Sequence, residues 1–144
     1  MGTIVWEHGD GKISVTYTND GILNLFDYGE QLQRRGSIPV DSEIVLAIHD
    51  KIQLPRHSDK FFNALVWSGN NLKIDIKKAR EIKKTELRFK RMVLFKDLDS
   101  QYIQALEKNS GAGDIVSNKQ KLRDFPISID LINTLDELIE FDIN

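Results

Sequence analysis

The residues in this chain that could do chemistry are few, and their spacing limits what most of them can do. A histidine-based zinc site needs a pair one helical turn apart and a further ligand. His8, His49 and His57 offer no such pair and read as turn and surface residues, so no metal site is assigned. Gly9–Lys12 ends in the Gly-Lys of a phosphate-binding loop, but Trp6 stands where the first glycine of that loop belongs. Ile13 follows the lysine in place of the required Ser or Thr, so this is a hairpin turn. Asp97 and Asp99 could hold a hard cation only with a third ligand, a glycine and a distant glutamate at fixed offsets. Those are missing, and helix capping is the expected role of both. No Gly-x-Ser-x-Gly elbow and no cysteine occur. No catalytic residue and no cofactor follow from the sequence, and a non-enzymatic protein is expected.

Charge is the one strong signal. Residues 73–96 hold ten Lys and Arg against three acidic residues, while residues 124–144 hold six acidic residues and no base. Such asymmetry fits either internal pairing of helix and tail or two faces for two partners. The cationic run could meet nucleic-acid phosphates, dock on an acidic protein surface, or remain a solvated face supported by Lys77–Glu81 and Glu86–Lys90 pairs. The net charge of −2 and the scarcity of aromatics among the basic residues argue against nucleic acid. Lys77, Lys84, Arg88 and Arg91 are expected on or near the exposed side, as the candidate partner-binding residues. Binding to DNA is expected to be weak and to vanish at physiological salt.

The elements that must position these groups are legible in part. Ile4–Trp6 and Ile13–Thr18 read as strands around the glycine-bearing turn, and Ile13, Val15 and Tyr17 alternate with polar residues. A helix is expected at about 22–35 on Leu25, Tyr28 and Leu32, stopped by Gly36 and Pro39. Glu43–His49 is a short apolar run that fits a buried strand or a helical turn, with the dominance of Ile and Val favouring the strand, and Leu54–Asp59 reads as a loop. Ala64–Ser68 and Leu72–Asp75 flank Gly69–Asn71 as a second hairpin, and Trp6 and Trp67 are expected to pack in the core. From Ile76 the period becomes helical, with Asp75 as N-cap and Ile82, Phe89 and Met92 facing inward. A second helix capped by Asp97 or Asp99 is expected to carry Tyr102, Ile103 and Leu106, with a break at Ser110–Gly113. A third, capped by Asp114, is expected to end near Arg123 before Pro126. Thr134–Glu137 has capping-box spacing for a last helix reaching Phe141.

The 144 residues suffice for a real core, and 40% hydrophobic with 29% charged residues is the composition of a soluble globular protein. No apolar run spans a bilayer and no signal-peptide segment is seen, so no membrane partner is expected. The fold class is α+β: a small antiparallel β region (two hairpins plus one helix) over residues 1–75, then a helical half over residues 76–144.

Several short motifs also stand in a familiar order. They are Asp59–Trp67, a glycine turn, Ile74–Ile76, Lys78–Ile82, Arg88, Leu98–Asp99, Tyr102, Ala105–Glu107, Lys119–Gln120, Leu122–Asp124, Pro126 and Thr134–Leu138. In that order, over about residues 59–138, the chain resembles small bacteriophage and prophage tail-associated proteins. Their C-terminal half resembles phage tail assembly chaperones and tail-fibre assembly proteins. The resemblance implies a tail accessory or assembly protein acting by protein–protein binding, with a phage tail or tail-fibre protein as partner. It places the protein in the cytoplasm of the bacterial host or with the virion. The alternatives are a structural component of the mature tail or fibre, and a phage-encoded nucleic-acid-binding or host-directed regulator. The resemblance brings no catalytic residues, and it leaves the oligomeric state open.

Overall fold

A computed structural model describes all of residues 1–144. The fold is α+β, and the chain divides into two compact units, Met1–Asp75 and Ile76–Asn144.

The first unit is organised by its first strand. β1 (Gly2–Glu7) pairs antiparallel with both β2 (Ile13–Thr18) and β3 (Glu43–Ile48), giving the order β2-β1-β3. A register shift on the β3 side falls between Val5 and Trp6. As the middle strand of a middle layer, β1 is buried on both faces, and Ile4, Val5 and Trp6 are fully enclosed without alternation. Ile4 and Trp6 pack with Leu25 of α1 (Leu25–Arg34) on one face. On the other, Val5 and Ile13 meet Leu65 of the hairpin β4 (Leu65–Ser68)–β5 (Asn71–Ile74).

Local chemistry sets these elements. Asn24 Oδ1 accepts the Phe26 and Asp27 amides at 3.1 and 3.2 Å, satisfying the open N–H groups at the start of α1. A Cβ on Gly29 would lie 2.7 Å from Ile44 and 2.9 Å from the Trp6 ring, so glycine is what lets α1 rest against the sheet. The β4–β5 turn has φ of 59° at Gly69 and 60° at Asn70, the doubly left-handed geometry of a two-residue hairpin loop. The stretch 54–59, expected as a loop, instead enters a short helix α2 (Ser58–Phe61), followed by a 3₁₀ turn at Phe62–Ala64.

The second unit contains α3 (Ile76–Glu107), α4 (Gly113–Asp130) and α5 (Leu135–Glu140). The expected break before Leu98 does not occur, because no glycine or proline interrupts residues 76–107. Asp97 accepts from Gln101 one turn on, and Asp99 turns to Lys119 at 2.6 Å, so neither caps a helix. The expected end of α4 near Arg123 is also corrected: the helix continues through Pro126 to Asp130. Buried Leu122, Phe125 and Ile129 lie on both sides of the proline, and their packing offsets the backbone hydrogen bond that proline removes. Asp114 sits in the first turn of α4, where Ala112 holds the cap position without a side-chain bond. Thr134 Oγ1 accepts the Glu137 amide at 3.3 Å and starts α5 as the sequence spacing implies.

The inward stripe of α3 differs from the one expected. Ile82 is half-buried, but Phe89 and Met92 are 68% and 66% exposed. The helix carries two apolar stripes. The one that packs contains Leu87 and Ala105, both buried, with Leu94 and Leu98 half-buried between them.

These placements set opposite expectations for two neighbouring residues. Leu87→Ala should cost about 2–5 kcal/mol through the cavity it leaves, while Phe89→Ala should change the stability of the single chain, at dilution where it does not self-associate, by less than about 0.5 kcal/mol. Chemical denaturation of both variants measures the contrast. A large loss at Phe89 would mean the wrong stripe has been placed inside.

Candidate functional site

Much of the basic run in α3 is turned to holding the second unit together. Lys84 is only 9% exposed, and its Nζ lies 2.7 Å from Asp130 and 2.8 Å from Glu81. Those hydrogen bonds, Asp130 first, raise the Lys84 pKa above the usual lysine value. Arg80 donates from Nε and Nη2 to the Ile132 carbonyl at 2.8 and 2.6 Å, and from Nη2 to Asn133 at 3.0 Å, pinning the link from α4 to α5. Lys90 reaches both oxygens of Asp142, at 2.5 and 2.6 Å, and Asn144 at 3.0 Å. This ammonium, with help from the Ile143 amide, holds the Asp142 carboxyl below the ordinary aspartate range.

Aromatic faces take the remaining cations of this seam. The Arg91 guanidinium lies 5.2 Å from the Phe125 ring centre and 6.0 Å from that of Phe95, and Arg123 lies 5.8 Å from Phe95. Lys119 sits 4.7 Å from the Tyr102 ring centre while it pairs with Asp99. Such contacts anchor a charge and bury its stem together. The charge asymmetry of the sequence is therefore met, at Lys84–Asp130 and Lys90–Asp142, by pairing inside the unit.

The four candidate partner-binding residues separate on this basis. Lys77 and Arg88 lie on the surface. Lys84 is enclosed and Arg91 is half-buried against rings, which corrects the expectation that both are exposed. Glu81 and Glu86 contact Lys84 and Lys83 respectively, and Lys90 turns to the C-terminal segment.

Apart from its charged surface, the unit presents two features outward that contain apolar side chains. Between α3, α4 and the segment after α5 lies an open cleft of about 360 Å³. Leu94, Leu98, Leu122, Phe125 and Phe141 line it, with Asp97, Lys121 and Ser128 among its polar groups. Composition alone could not reveal this cleft, because it depends on α4 continuing past Pro126. A second apolar surface runs along α3 through Phe89, Met92, Val93, Ile103 and Leu106, all exposed.

In the first unit no motif marks His8, yet it has two close hydrogen-bond partners. Its Nε2 lies 2.6 Å from Ser14 Oγ and its Nδ1 2.7 Å from Ser42 Oγ. Through these two contacts the imidazole ties the β1–β2 hairpin to the start of β3. The three histidines belong to no cluster of metal-ligating side chains. No helix is long and apolar enough to cross a membrane. No family model, curated protein or solved structure matches this chain.

Two measurements follow from the cations. Lys84→Glu should destabilise the second unit by on the order of 2 kcal/mol, because it places a third carboxylate beside Glu81 and Asp130. Arg88→Glu, at the surface, should leave the melting curve within experimental scatter. The lowered Asp142 pKa contributes stability that is complete above the normal aspartate value and is lost as pH falls through the lowered one. Lys90→Ala should move the Asp142 titration, followed by NMR, back toward the ordinary value and shrink that acid-side loss. An unchanged titration would remove Lys90 as the cause.

Proposed function

We propose that this protein assists the assembly of a phage tail by binding a tail or tail-fibre protein through its helical unit. The observation that carries this reading is the open cleft of mixed apolar and polar lining between α3, α4 and the C-terminal segment. An open cleft lined equally by apolar and by polar or charged residues suits an amphipathic segment of another polypeptide, which an assembly protein would shield until the segment reaches its place in the particle. The ordered motifs between residues 59 and 138 supply the phage context. The engaged state of Lys84, Lys90, Arg91 and Lys119 supports protein binding over nucleic-acid binding, since these cations already have carboxylate or ring partners.

The test is co-purification from phage-producing cells, with the captured proteins identified by mass spectrometry. A tail or tail-fibre protein should be retained by the parent chain and lost with Ser128→Trp, which fills the cleft from an exposed position. Retention by the filled variant would remove the cleft from the mechanism. Recovery of the protein in stoichiometric amounts from purified particles would favour a resident tail component over an assembly factor.

A further inference from the structure

We propose that the outer face of α3 pairs antiparallel with the same helix of a second copy of this chain. The residues on that face follow a seven-residue repeat: Phe89, Met92, Lys96, Asp99, Ile103 and Leu106, at alternating steps of three and four. Such spacing is that of a two-helix seam, and it differs from the face that packs on α4. Its four apolar members are 55–68% exposed. From Phe89 to Leu106 the seam covers roughly 26 Å of straight helix.

The two charged positions select the occupant and its direction. In an antiparallel pair with its two-fold axis between Asp97 and Leu98, each residue faces the one whose number completes the same sum. Phe89 then meets Leu106 of the second copy, Met92 meets Ile103, and Lys96 meets Asp99. The two central layers become Lys–Asp pairs, and the four layers outside them are apolar. A parallel pair would instead set Lys96 against Lys96 and Asp99 against Asp99, which places like charges in the seam. Asp99 is 62% exposed while bound to Lys119, and a carboxylate has lone pairs for a second ammonium. The face is thus complementary to itself in one orientation only. This pairing leaves the cleft unused and stands independently of the proposed tail role.

Sedimentation of the whole chain at roughly 1–100 µM should show the mass doubling from 16.5 kDa with concentration. Met92→Glu should keep the chain monomeric over that range, with an unchanged circular dichroism spectrum because the position is exposed. Lys96→Glu should shift dimerisation to about tenfold higher concentration or beyond. Register is read by disulfide trapping, which the absence of cysteine makes clean. The double variant Met92→Cys with Ile103→Cys should oxidise to a covalent dimer. Met92→Cys alone should not, since in the antiparallel register the two copies of residue 92 are separated by roughly 16 Å of helix rise. A monomer at every concentration overturns the proposal. So does a covalent dimer from Met92→Cys alone, or an outer face of α3 protected only when a tail protein is bound.

Discussion

The helical unit depends on cations that have been drawn inside it. Apolar residues on α3, α4 and α5 set the general packing, but the fixed points are Lys84 between Asp130 and Glu81, Arg80 on the Ile132 carbonyl, and Lys90 on Asp142. Arg91 and Arg123 against Phe95 and Phe125 fill the space between those points. A bare ammonium in such a place would be costly; one with two carboxylates is tolerated and directional. The arrangement sets which side of α3 faces inward, and so leaves Phe89, Met92 and Val93 outside.

The first unit solves the same packing problem with apolar contacts. β1 is enclosed on both faces and bonded along both edges, so its side chains have no solvent side to alternate toward. Gly29 permits the close approach of α1, and the His8–Ser14–Ser42 chain of hydrogen bonds fastens the turn end of the sheet. Trp6 is satisfied within this core by donating its indole N–H to Thr16 at 3.1 Å.

Legibility in the sequence followed the range of the interaction. The two hairpins, α1 and the Thr134 cap depend on residues within a few positions of each other, and turn chemistry exposes them. The change of period at Ile76 marked where the second unit begins. The inward face of α3 is not legible locally, because Phe89 and Leu87 are equally apolar and the choice between them rests on Asp130 and Asp142 more than forty residues away. Pro126 reads as a stop, since nothing local shows that Phe125 and Ile129 are both held from outside the helix. The cleft inherits both difficulties, because it exists only once α4 is long and the Leu94–Leu98 side of α3 faces it. The exposed positions of Lys77 and Arg88 were legible; the enclosure of Lys84 and the half-burial of Arg91 were not.

The long separation of these charge pairs also governs what happens while the chain is being made. α3 leaves the ribosome with its excess of positive charge before Asp130 and Asp142 exist to meet it. During that interval the helix carries nine basic residues over residues 76–96 against two acidic ones, and its own charges repel one another. Residues 124–144 then bring six carboxylates and no base, which nearly cancel that excess and supply the partners of Lys84 and Lys90. The final stretch of the polypeptide thus acts as an intramolecular counterion, and it sets the moment in synthesis at which the basic helix stops being a polycation.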